Sequence, residues 1–132
     1  HTSDPNAFFE PLHEDNERFE ELSEAPSWSF SDPKFPRRDA LLRQRDRVLE
    51  KHPATTFILV HFGNNPEDPE YIEKLLDKYP NAYLDVSARL AEIGRHDADR
   101  MRDLFTKLAN GHRALDIDAL MPWAYTQQVN GA

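Results

Sequence analysis

The 132-residue chain contains no cysteine. Disulfides, thiolate metal sites and cysteine nucleophiles are therefore excluded, and the redox compartment leaves no mark on the sequence. Glycine is scarce, at four residues. No G-x-S-x-G elbow, G-x-x-x-x-G-K phosphate loop or G-x-G-x-x-G dinucleotide turn occurs, and H-E-x-x-H is missing as well. No stretch approaches the ~20 apolar residues of a membrane-spanning helix. No basic segment leading into an apolar core reads as a secretory signal, so a cytoplasmic location is expected, or a periplasmic one if a leader precedes His1. Positive charge is in deficit, with 16 Lys and Arg against 24 Asp and Glu, a net charge of −8. Such a balance argues against a general phosphate-backbone binder, and neither nucleic acid nor membrane is an expected partner. Arg37, Arg38, Arg43, Arg45 and Arg47 do form a basic run. Asp39 and Asp46 interrupt it, and it reads as a solvated helix face.

What is present centres on Phe57-Ile58-Leu59-Val60-His61, followed by Phe62-Gly63-Asn64-Asn65. An unbroken apolar run without alternation predicts a strand, Thr56 to His61, buried on both faces as in a parallel sheet. His61 falls at its carboxyl end, the edge where parallel α/β folds place their chemistry.

The flanking segments extend this pattern. Glu14 to Ser23 is expected to be helical, with Phe19 and Leu22 on one side. Ala25 to Arg38 is a long proline-punctuated loop whose Trp28, Phe30 and Phe35 imply packing; loops of this length often serve as lids. Asp39 to Lys51 reads as a helix with a stripe of Leu41, Leu42, Val48 and Leu49, stopped by Pro53. Asn65 is expected to cap the next helix with Pro66 at its first position, and that helix carries Ile72, Leu75, Leu76 and Tyr79 at i, i+3, i+4 and i+7. A second strand is expected over Ala82 to Val86, then a connection over Ser87 to His96. A helix over Asp97 to Ala109 follows, with Met101, Leu104, Phe105 and Leu108 at the same spacing and Asn110-Gly111 as its stop. Arg113 to Ile117 suits a last short strand. Successive strand–loop–helix units of about 25–30 residues make the class α/β with a parallel sheet. The length suits one domain and falls short of the ~250 residues of a full eight-stranded barrel.

Several residues have the chemistry of a site. His61 either satisfies a loop carbonyl or offers a neutral nitrogen to a metal. His1 is either a chain end or the end of a strand lying upstream. Since neighbouring strands lie about 4.8 Å apart, both imidazoles could then reach one ion. Asp85, inside an apolar strand, needs a partner. It either pairs with Arg89 or Arg95 or faces the site with Ser87. Asn64 either orients a ligand or forms the turn. Glu67 and Asp68 read as helix N-terminal charges, and His13, His52, His96 and His112 as surface residues.

Taken together, His1-Thr2-Ser3-Asp4-Pro5, Ala7-Phe8-Phe9-Glu10-Pro11, Asn16-Glu17-Arg18, Glu21-Leu22 and Trp28 resemble one branch of the amidohydrolase superfamily, the metal-dependent hydrolases of the TIM-barrel type. Gln44-Arg45, His52-Pro53, Phe57 to His61 with Gly63-Asn64, and Glu67-Asp68 continue the likeness. So do Tyr79-Pro80-Asn81, Tyr83-Leu84-Asp85-Val86-Ser87-Ala88-Arg89 and Glu92-Ile93-Gly94-Arg95. The motifs span His1 to Ala109.

The resemblance implies a (β/α)8 barrel with a divalent ion, zinc before manganese or iron, at its carboxyl-terminal mouth. His1 matches the fifth-strand ligand and His61 the sixth. Asn64, Asp85, Ser87, Arg89 and Trp28 would be substrate-side or supporting residues. The family's first-strand H-x-H pair is absent. Arg113-Ala114-Leu115-Asp116-Ile117-Asp118 stands where the family reads R-I-L-F-G-T-D, which makes Asp118 the counterpart of the general base. The implied reaction is attack of a metal-activated water on a C–N or C–O bond of an amide, cyclic amide or lactone; relatives that decarboxylate use the same site. On this reading residues 1–132 form an incomplete barrel segment with a divergent tail over 110–132. They act on a small molecule only within a fuller protein, and their open strand edges favour self-association. A non-catalytic α/β interaction domain is the reading from another class.

Overall fold

A computed structural model describes residues 1–111 of the chain, and within them the α/β reading holds. In chain order the elements are α1 (Phe19–Glu24), α2 (Arg38–Lys51), β1 (Phe57–Leu59), α3 (Pro69–Lys78), β2 (Ala82–Leu84), α4 (Leu90–Ile93) and α5 (Ala98–Asn110). Short 3₁₀ turns over Asn6–Phe9 and Pro26–Trp28 precede α2. β1 and β2 pair in parallel, with Phe57 opposite Ala82, Ile58 opposite Tyr83 and Leu59 opposite Leu84. A parallel pair needs a helical crossover, and α3 supplies it.

One core joins these elements. Leu49 of α2, Leu59 of β1, Ile72, Leu75 and Leu76 of α3, Ala82 and Leu84 of β2, and Met101, Leu104 and Leu108 of α5 are buried together with Phe62, Tyr79 and Ile93. The i, i+3, i+4, i+7 stripes expected on α3 and α5 face this core. Each buried Leu, Ile or Phe contributes about 1.5–3 kcal/mol. Asn81 closes the end of α2, its side-chain amide donating to the carbonyls of His52 and Thr55 at 3.0 and 3.1 Å.

Several boundaries and faces differ from the sequence reading, each for a physical reason. α1 starts at Phe19 rather than Glu14. The Asn16 amide donates to the Ala7 carbonyl at 2.8 Å and its oxygen accepts from the Arg18 N–H at 2.8 Å, so the backbone turns there before it can wind. α3 starts three residues late. Asp68, not Asn65, is its cap, accepting from the Tyr71 N–H at 3.0 Å, and Pro69, not Pro66, is its first residue. Asn65 and Pro66 are instead held by Arg38 and by His96, whose Nε2 donates to the Pro66 carbonyl at 2.6 Å; His96 is thus half-buried rather than a free surface residue. The two strands are three residues each, and β1 is not covered on both faces, since Ile58 remains 52% exposed. The connection after β2 contains the short helix α4.

The basic run is not all solvated. On α2 the inward stripe is the half-buried Arg38 with the buried Leu42, Arg45 and Leu49, at i, i+4, i+7 and i+11. Arg45 is fully enclosed, whereas Val48, expected in the stripe, is 44% exposed. The expected strand at Arg113 to Ile117, Asp118, and all but the first two residues of the tail over 110–132 lie outside the described residues. No helix among the described residues is long and apolar enough to cross a membrane.

Candidate functional site

β1 ends at Leu59, and the chain then makes an unusual turn. His61, Phe62, Gly63 and Asn64 have φ of +59°, +56°, +60° and +53°. Left-handed backbone costs a non-glycine residue about 1–2 kcal/mol, so the turn must be held from outside. The Asp85 carboxylate accepts from the His61 N–H at 3.1 Å, and the Asp85 carbonyl accepts from the Phe62 N–H at 2.7 Å. Phe62 is wholly buried. Arg45 donates to the Gly63 carbonyl, and Arg38 donates to the Asn64 carbonyl at 2.9 Å. A Cβ on Gly63 would meet the Ile72 Cδ1 at 3.0 Å, so glycine is needed there for space as well as for φ.

Arg38 does more than hold the turn. Its Nε donates to the Asp4 carbonyl at 3.0 Å, and its Nη2 also reaches the Asn65 side-chain oxygen at 2.9 Å and the Glu67 carboxylate at 2.7 Å. Glu67 in turn accepts from the Asn6 N–H at 2.6 Å. One guanidinium therefore ties the His1–Pro5 segment to the turn that carries His61. Burial pushes Arg38 below the usual guanidinium value, with Glu67 opposing.

The result is that the His1 and His61 rings lie edge to face, with centroids 5.3 Å apart and planes at 75°. His61 Nδ1 is 2.8 Å from the Ser87 carbonyl, which can only accept, so this nitrogen carries the proton. In the neutral ring Nε2 then keeps its lone pair, the state a metal requires. Behind it, Ser87 Oγ and N–H both donate to the Asp85 carboxylate, at 2.7 and 2.9 Å. Asp85 therefore pairs with neither Arg89 nor Arg95 but fixes the backbone on both sides of His61; Arg95 goes to Glu17.

The histidine pair opens on a cavity of about 380 Å³, also lined by Asp4, Trp28, Ala88 and Arg89. Asp4 lies 3.5 Å from His1 Nε2. Burial pushes its carboxyl up, and the charges of Arg89 and His61 oppose this. Trp28 is 53% exposed on a loop pinned by the Phe30 N–H, which donates to the Phe8 carbonyl at 2.7 Å, and by Phe30 packing on Phe9 and Phe35. Of the residues singled out in the sequence, His1, His61, Arg89 and Trp28 line the cavity, and Asp85 and Ser87 stand behind His61. Asn64 is buried under Arg89, whose Nη2 lies 3.5 Å from its side-chain oxygen. Asp4, Arg38 and Arg45 escaped sequence reasoning. The seven-residue spacing of the two arginines, in phase with Leu42 and Leu49, was the available signal.

Imidazole nitrogens suit a borderline divalent cation such as zinc, and the His61 tautomer fits that role. Among the described residues no group of three or more His, Asp or Glu side chains converges to hold an ion.

A family model described as amidohydrolase matches residues 1–121, past Ala109 where the quoted motifs end. No curated protein and no solved structure gives a significant match.

Proposed function

Because the chain belongs to the amidohydrolase family, we propose that it forms one side of the metal centre of a (β/α)8-barrel hydrolase, with His1 and His61 as ligands. The observation that supports this most is the 5.3 Å approach of the two rings, together with the Nδ1–H bond that leaves His61 Nε2 available. The strand–helix–strand unit with a parallel sheet suits an incomplete barrel, and residues 1–132 are read as that segment, with a tail that diverges from 110.

When bound, a divalent cation, zinc before manganese or iron, supplies Lewis acidity toward water and a scissile carbonyl of an amide, cyclic amide or lactone. The chain's own residues do the positioning. Ser87 holds the proton on His61 Nδ1, Asp85 fixes the backbone beneath it, and Arg38 keeps the His1 segment against the turn. Trp28 and Phe30 form a cover that excludes water. Asp118 is assigned as the general base on sequence grounds.

Calorimetric titration with Zn²⁺ tests the ligand assignment. His61→Asn, which suits a left-handed backbone, and His1→Ala should each weaken site-specific binding more than tenfold, whereas His52→Ala should not. Unchanged binding in His61→Asn overturns the assignment.

A further inference from the structure

We propose that Asp4 is a positioning residue, whose negative charge holds the His1 ring in its edge-to-face contact with His61; the proposal deepens the reading of that pair as metal ligands and rests on it.

His1 needs such a hold. Its side chain is half exposed, and among the described residues its ring makes no hydrogen bond. Its two close partners are the His61 ring, 5.3 Å away between centroids, and the Asp4 carboxylate, 3.5 Å from Nε2. His61 is fixed differently, through Nδ1 and the Ser87 carbonyl at 2.8 Å.

Asp4 is anchored from behind. Pro5 follows it, which confines its backbone to the extended region, and Pro5 is itself fully buried. The Asp4 carbonyl accepts from Arg38 Nε at 3.0 Å and from Ser3 Oγ at 3.4 Å. The carboxylate points the other way and lines the cavity. Among the described residues no donor makes a hydrogen bond to it, and His1 is its one ion-pair partner within 4.0 Å. The charges of Arg89 and His61 act on it as well. The backbone of Asp4 thus serves the fold, and its side chain is left to serve the pair.

A carboxylate attracts a ring N–H and repels a ring lone pair. Asp4 therefore favours a proton on His1 Nε2 and leaves the lone pair on Nδ1. A carboxylate or carbonyl on the far nitrogen of a metal-binding histidine fixes the ring and raises its basicity. Ser87 does this for His61, and Asp4 does it for His1. At 3.5 Å the His1 contact is longer than an ordinary hydrogen bond, so it depends on charge rather than on a directed bond.

The test compares the wild-type full chain with Asp4→Asn, which keeps the shape and the backbone carbonyl and loses the charge. Asp15→Asn is the control, because it removes a similar pair with His13 on the open surface. In the metal-free chains, nuclear Overhauser contacts between the His1 and His61 ring protons should be present in wild type and in Asp15→Asn, and lost in Asp4→Asn. The melting temperature should stay level in all three. Zinc affinity should fall about tenfold in Asp4→Asn and stay unchanged in Asp15→Asn. Ring contacts that persist in Asp4→Asn overturn the proposal, and so does a lowered melting temperature with those contacts intact, which would make Asp4 a structural residue. Zinc bound by wild type and equally well by Asp4→Asn counts against the proposal alone. A wild-type chain that binds no zinc, yet loses its ring contacts in Asp4→Asn, supports Asp4 as the hold on His1 and counts against the metal reading alone.

Discussion

Arg38 and Arg45, two turns apart on one face of α2, grip the carbonyls of neighbouring residues, Asn64 and Gly63. α2 thereby stabilises the run of left-handed residues that follows β1, and that run aims His61. Buried guanidiniums are costly in a core. Their presence here is accounted for by orphan carbonyls that no strand or helix could satisfy.

Replacing Arg38 should therefore be expensive. Arg38→Met leaves Glu67 and the Asp4 and Asn64 carbonyls without their donor, and urea unfolding should show a loss of about 2–4 kcal/mol. Arg38→Lys, which keeps charge but not the fork, should lose roughly half of that. A change within about 0.5 kcal/mol for Arg38→Met, the range of an ordinary surface site, would show that the guanidinium is not what holds the two segments together.

Gly63 combines a left-handed backbone with a tight neighbour. Gly63→Ala should cost about 1–3 kcal/mol. Ile72→Val removes the Cδ1 that the new methyl would meet, so the double variant should be more stable than the sum of the two single changes. Strict additivity would mean that the close approach is not the source of the cost.

Local signals in the sequence carried α3 and α5, whose apolar stripes are uninterrupted, and the parallel strand pair with its crossover. They placed α2 with Leu42 and Leu49 buried but misread the rest of its inner face, because the partly buried Arg38 and the buried Arg45 occupy positions that a hydrophobic pattern assigns to solvent. They failed on the start of α3 because Asn65 and Pro66 are held by partners 27 and 30 residues away, Arg38 and His96. The left-handed backbone at His61 and Phe62 has no local cause at all, since neither residue is glycine. His1, His61, Arg89 and Trp28 were legible as chemistry. Asp4 was not, because its place in the cavity depends on Arg38 gripping its carbonyl.

Tyr71 links the arginine clamp to pH. Burial and the hydrogen bond it donates to Asp46, which in turn holds Arg45 at 2.8 Å, push its phenol up from 10 to about 12. The folded chain therefore holds that proton where the unfolded chain releases it. The contribution is fully present below pH 10 and is lost as pH rises toward 12. About 1–2 kcal/mol should disappear across that window, after allowance for the solvent-facing part of the ring. Tyr71→Phe should flatten this alkaline decline in thermal melts, and an identical decline in both proteins would exclude Tyr71 as its origin.

Trp28 is half exposed yet lines the cavity. Trp28→Ala should change stability by no more than about 1 kcal/mol, near the surface range, while changing the KM or kcat of the complete enzyme several-fold. A large drop in melting temperature with unchanged KM and kcat would make it a packing residue rather than a cover.

The proposed metal site turns on the state of one imidazole ring. Long-range ¹H–¹⁵N spectra of the ¹⁵N-histidine-labelled chain near pH 8 report the protonation of each imidazole nitrogen, with and without zinc. The geometry predicts His61 as the Nδ1–H tautomer before zinc is added, and a zinc-dependent shift of its Nε2 together with perturbation of the His1 ring. A His61 ring protonated at Nε2, or one that zinc leaves untouched, would contradict the assignment of this pair as a metal site.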